Sequence, residues 1–263
     1  PRSTLDRSSA ASDVYKRQII IKVNKTDLKK FLHPECFIPN FNLQKEILTQ
    51  AIPAIGSMMF IGLGVFVLLY YVSLYGDYSA GGYGAAIRFE QLFLLPVLGL
   101  NASTLALVGQ NFVAANFNRV LETYKKSIFY GTIFMAACGV FIYFSSNYIM
   151  FFFSDDQEII FYGSTYLKIA AFAGPCYPIF FISSALLQGL KKPNYQMIIN
   201  LMRMIILPIS ALSIAVVYLE VEFATMFLVI LTINYIFAAS VYKFSIYQIS
   251  LMQRNYKPNF DAV

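Results

Sequence analysis

Residues 82–112 read GYGAAIRFEQLFLLPVLGLNASTLALVGQNF. The run is long enough to cross the hydrocarbon core of a bilayer, which takes about 20 residues of helix. Yet it carries Arg88, Glu90 and Gln91 close to its start. Ionisable groups at such depth are costly, so they face a protein interior or a wet cavity. The run closes on Gln110 and Asn111 and passes into a basic segment with Arg119, Lys125 and Lys126.

The rest of the chain repeats this design. Further apolar segments cover about 47–74, 128–153, 159–190, 195–218 and 223–246, and the central one spans about 82–108. The 263-residue chain is 58% hydrophobic and 13% charged, where a soluble domain carries about 25% charged residues. Backbone groups in lipid must pair within the segment, so each run is expected to be a helix. The short alternating strands of a membrane barrel are absent from the pattern. The expected fold is all-α, an integral membrane protein of six transmembrane helices. With no Trp and 19 Tyr, interfacial anchoring falls to tyrosine.

The flanking segments differ. Residues 1–18 are polar, Ser/Arg-rich and aperiodic, and are expected to be a non-native or disordered tail. Residues 19–46 form a Lys-rich connector broken by Pro34 and Pro39; residues 47–250 hold the six helices; residues 251–263 form a C-terminal tail.

Charge sorts the connections into two alternating sets. Lys22, Lys25, Lys29, Lys30 and Lys45 make up the first basic group; Arg119, Lys125 and Lys126 follow, then Lys191 and Lys192, then Lys243, Arg254 and Lys257. Between them lie Asp77, then Asp155, Asp156 and Glu158, then Glu220 and Glu222, with no Lys or Arg. The positive-inside rule assigns the basic set, the connector and both chain ends to the cytoplasm. A multi-pass protein of the cell's inner (plasma) membrane is expected. The net charge of +6 is spread over separate loops, which argues against a nucleic-acid partner.

No catalytic motif is present: there is no GxSxG, HExxH or Walker loop. Cys36, Cys138 and Cys176 are scattered, and His33 has no ligand-type neighbour at metal spacing, so neither a metal site nor a cofactor is expected. The residues left to carry function are those at membrane depth. Arg88 and Glu90, two apart, point to different sides of a helix. Glu90 either lines a cavity and takes a cation, a proton or a cationic substrate, or it pairs structurally with Arg203 or Lys168. Gln91, Arg88, Asn101 and Tyr177 join it as substrate- or ion-binding candidates. Lys168 and Arg203 are expected to snorkel to the outer and inner interfaces. Asn200, on the same face as Arg203, is expected to pin a neighbouring helix. Pro96, Gly174, Pro175 and Pro178 are the hinge candidates, because proline removes a backbone donor and bends a helix.

The run Gly84-Ala85-Ala86-Ile87-Arg88-Phe89-Glu90-Gln91, with Leu94-Leu95-Pro96, Gly109-Gln110-Asn111-Phe112, Ala115-Asn116 and Arg119, resembles the multidrug and toxic compound extrusion (MATE) family. Ile52-Pro53-Ala54-Ile55, Gln188-Gly189 before Lys191-Lys192-Pro193, and Asn200 and Arg203 before Pro208 agree with it. The resemblance covers about residues 42–250. It implies twelve helices in two six-helix lobes, of which this chain matches the C-terminal one, with an N-terminal six-helix lobe as its partner. It implies export of cationic or amphipathic compounds by antiport with Na+ or H+. One branch of the family couples through a Glu in the seventh helix and an Asp in the tenth; segments 47–74 and 159–190 contain no carboxylate. The chain more resembles the DNA-damage-inducible branch, which uses an Asp in the first helix. Competing readings are a flippase for lipid-linked oligosaccharide and a non-transporting membrane scaffold.

Overall fold

The computed structural model describes residues 41–255. The 1–18 tail, the connector up to residue 40 with His33 and Cys36, and residues 256–263 lie outside the described residues. By its contacts the chain divides into units 1–48 and 49–263. The described part of the first is residues 41–48, and the helical bundle belongs to the second. Among the described residues six helices are each long and apolar enough to cross a membrane: α1 (Phe41–Ser73), α2 (Asp77–Val113), α3 (Phe117–Phe153), α4 (Gln157–Gly189), α5 (Pro193–Tyr218) and α6 (Phe223–Arg254). Among the same residues there is no strand.

The helices outrun the apolar segments that announce them. At 37 residues, α2 and α3 are each about 56 Å long, against a hydrocarbon core of about 30 Å. The surplus stands in the interface and in water, where hydropathy does not register it. Arg119, Lys125 and Lys126, expected in a loop, therefore ride on the first turns of α3, and Lys243 lies within α6. Acidic residues gather at helix starts for a local reason. Asp77 lies in the first turn of α2, and Asp156 caps α4 by accepting from the Glu158 amide at 2.9 Å. Asp156 thereby satisfies an orphan amide, and both carboxylates complement the helix dipole.

Two kinds of packing hold the bundle. The α2–α3–α4 core closes through glycine. A Cβ built on Gly82 would lie 2.7 Å from the Ile159 carbonyl oxygen, and one on Gly139 would lie 2.4 Å from that of Ala171. Small residues let membrane helices approach to backbone contact, where dispersion replaces the missing hydrophobic drive. The α1–α5 contact is a single narrow stripe. Ser57, Gly64 and Tyr71 lie seven apart on α1 and are buried. Asn200 donates to Ser57 Oγ, Met204 packs on Gly64, and Tyr71 shares a 2.7 Å hydrogen bond with Ser213.

Proline distorts two helices in different ways. In α4, Gly174–Cys176 tighten into a 3-10 turn, and the helix continues through it with right-handed dihedrals at Gly174 and Tyr177. Carbonyls around this turn find partners on other helices: Tyr235 of α6 donates to Phe172 O at 2.7 Å, and Thr132 of α3 approaches Pro175 O at 3.5 Å. In α5 the distortion is larger. Wide π turns at Met202–Ile206 and Ser213–Tyr218 flank Pro208, whose missing N–H breaks the regular ladder.

Replacing Gly139 with alanine forces α3 off the α4 backbone. We expect Gly139→Ala to cost about 1–3 kcal/mol and to lower the melting temperature of the detergent-solubilised protein. Gly99→Ala, with open space around its Cβ, is the control and should melt as wild type.

Candidate functional site

Glu90 lies 13 residues into α2, about 20 Å from its acidic end, and is 5% exposed. It enters the bundle because it is half a turn away from Arg88, which is exposed on the opposite side. Its carboxylate has two donors from α4. Tyr166 Oη donates to Oε2, and Tyr177 Oη donates to Oε1 at 2.7 Å. The two tyrosines are eleven residues apart, three helical turns, so they share a face. The ring of Tyr166 is held edge-on by Tyr83 and Phe227, both with centroids at 4.9 Å. Burying a charge without partners is prohibitive, and phenol donors are what lets this carboxyl stand inside an apolar bundle.

Arg203 faces the same space from the first π turn of α5. It is 9% exposed, so the expected snorkelling to the inner interface does not occur. The guanidinium instead lies over the Phe180 ring at 3.9 Å and the Tyr177 ring at 5.4 Å. Its Nε donates to Asn234 Oδ1 at 3.3 Å. Aromatic faces stabilise a cation in a desolvated place by about 2 kcal/mol, which is what snorkelling would otherwise offer. Tyr177 thus touches both charges, donating its hydroxyl to Glu90 and offering its ring to Arg203.

These groups line a half-open cavity of about 190 Å³ bordered by α1, α2, α4, α5 and α6. Apolar walls come from residues such as Ile61, Leu68, Leu94 and Phe181; the polar lining includes Gln91, Tyr83 and Asn234. Few polar groups converging in an apolar pocket is the usual build of a small-molecule site. Of the candidates named from sequence, Glu90, Gln91, Tyr177 and Arg203 come together here. Arg88 faces outward. Asn101 ties α2 to α4 by donating to Phe181 O at 2.8 Å. Asn200 pins α1, as expected, through Ser57. Lys168 is half-buried on α4 and is not part of the lining. Of the hinge candidates, Pro96 is exposed on α2, and Gly174, Pro175 and Pro178 lie at the α4 turn beside Tyr177. Sequence reasoning missed Tyr166, Tyr83 and Asn234. The eleven-residue spacing of Tyr166 and Tyr177 is the signal that could have found the first.

Six apolar helices around a charged, aromatic cavity define an integral membrane protein of carrier type. The family model described as MatE matches residues 53–212, and the chain belongs to that family, which consists of transporters rather than enzymes. Among curated relatives, the probable multidrug resistance protein YpnP of Bacillus subtilis (strain 168) is 25% identical over 177 residues, which is 66% of this chain and 40% of that protein. The multidrug export protein MepA of Staphylococcus haemolyticus (strain JCSC1435) is 28% identical over 131 residues, 50% of this chain and 29% of that one. Two solved structures share the fold at 19% identity and a TM-score of 0.79. One is a MOP superfamily transporter from Pyrococcus furiosus; the other is an outward-facing multidrug resistance MATE family transporter. Each covers 84% of this chain, which spans about half of their length. These relatives favour neither the flippase nor the scaffold.

Removing one phenol donor leaves a buried carboxyl short of a partner. Tyr166→Phe keeps the ring and is expected to destabilise the protein by roughly 1–3 kcal/mol. The same substitution in a Glu90→Gln background should cost much less, and a thermal double-mutant cycle measures the difference.

Proposed function

We propose that this chain is the C-terminal six-helix lobe of a cation-coupled antiporter that exports cationic or amphipathic compounds, with Na+ or H+ as the coupling ion. A second six-helix lobe completes the transporter. The basic helix ends face the cytoplasm, and both chain ends lie there. Residues 19–46 then correspond to the interlobe connector. Within the family, the lack of a carboxylate in segments 47–74 and 159–190 supports a place near the DNA-damage-inducible branch.

The observation that carries the reading is Glu90. It is buried, it lines a cavity, and a carboxylate has about four acceptor positions. Two are used by tyrosines, which leaves capacity for a cation from the cavity side. A coupling ion and a cationic substrate compete for that capacity, and this competition is the minimum that an antiporter needs. Pro96 and the Gly174–Pro178 turn are the bending points of the lobe. The turn is continuous with Tyr177, so whatever occupies Glu90 acts directly on it.

The test is efflux of ethidium from cells expressing the protein. Glu90→Gln should reduce efflux at least about tenfold, the scale of one lost charge-assisted contact, at equal membrane abundance. Efflux at the wild-type rate would remove Glu90 from the mechanism. Orientation is tested separately by single-cysteine labelling with a membrane-impermeant maleimide. Positions 77 and 155 should label in intact cells, and positions 125 and 191 only after permeabilisation.

A further inference from the structure

Glu90 and Arg203 line one cavity and carry opposite charges, yet they are not in contact as an ion pair. Such a contact does occur on the surface, between Lys126 and Glu122 at 2.7 Å. Tyr177 stands between Glu90 and Arg203, donating its hydroxyl to the one and lying under the guanidinium of the other. Two opposite charges buried within reach of one another would normally close into contact, because each unpaired buried charge is expensive. Here the architecture holds them apart. Glu90 is tied to α4 by two phenols, and Arg203 lies over the Phe180 ring at 3.9 Å and is tethered to Asn234 through Nε. Among the described residues no hydrogen bond engages its terminal amino groups, the pair that binds a carboxylate in two-pronged fashion.

From this separation we infer that the cavity takes a small zwitterion with an aromatic or aliphatic body. The ligand's ammonium meets Glu90, its carboxylate meets the terminal amino groups of Arg203, and its apolar part lies against Ile61, Leu68, Leu94 and Phe181. A singly charged ligand satisfies one wall and leaves the other charge desolvated and unmatched; a zwitterion satisfies both at once. The inference rests on the export reading and narrows its substrate class. Arg203 becomes a specificity residue rather than a structural one. The coupling cation then competes with the ligand's ammonium at Glu90, while the carboxylate contact is the ligand's alone.

Three isosteric probes separate the charges: L-phenylalanine, phenethylamine and 3-phenylpropionate. Binding to the purified transporter in detergent is measured by isothermal titration calorimetry near neutral pH. L-Phenylalanine should bind at least about tenfold more tightly than either singly charged analogue, the scale of one additional charge-assisted hydrogen-bonded contact. Arg203→Gln should abolish its advantage over phenethylamine, and Glu90→Gln its advantage over 3-phenylpropionate. Arg203→Lys, which keeps the charge and guards against misfolding, should retain part of the preference. Wild-type protein that binds phenethylamine as tightly as L-phenylalanine, or that binds none of the three, overturns the assignment. So does an Arg203→Gln variant with an undiminished preference. Ethidium efflux from cells is the separate readout of export. Ethidium efflux without zwitterion preference removes only the substrate class, whereas efflux of neither ethidium nor L-phenylalanine removes export itself.

Discussion

A carboxylate buried in a membrane bundle has to be supplied with donors, and meeting that need for Glu90 dictates where α2 and α4 lie. Both phenols come from α4, from positions three turns apart, so that helix must run close beside α2 over most of its length. The approach is possible because Gly82 and Gly163 present bare backbone to each other at the acidic end. Side chains there would separate the helices and draw the hydroxyls away from the carboxylate. The sixth helix completes the arrangement with Phe227, which holds the Tyr166 ring, and Asn234, which holds Arg203.

The proline-distorted turn of α4 fits the same logic. Tyr235 and Thr132 bring side-chain hydroxyls to the carbonyls of Phe172 and Pro175 beside the turn, joining α6 and α3 to it. The distortion is thereby bounded: α4 changes pitch at Gly174–Cys176 but keeps its course. That change of pitch sets the angle at which Tyr177 leaves the helix and lets one ring serve two charges.

Much of this was legible in the chain. Long apolar runs specify six helices because lipid allows little else, and the two-residue spacing of Arg88 and Glu90 already separates an outward side chain from an inward one. Arg203 was not legible. Its distance from Lys191 and Lys192 suits snorkelling, and the competing stabilisation comes from Phe180 and Tyr177, which are remote in sequence. The π turns were equally hidden, since a proline such as Pro208 marks a break without saying whether the helix tightens or widens. Helix ends were underestimated at α3 because hydropathy records contact with lipid, not helicity. Tyr166 escaped notice because one tyrosine among many in an aromatic-rich span carries no local mark.

The cavity has two unlike walls. On one side α2 and α4 are in backbone contact through Gly82 and Gly163. On the other, α5 contains two π turns and meets α1 along a single file at Ser57, Gly64 and Tyr71. Glu90 belongs to the first wall and Arg203 to the second. One jaw of the site is therefore closed backbone to backbone and the other is built from widened turns, so a ligand that bridges the two charges also bridges the seam between them.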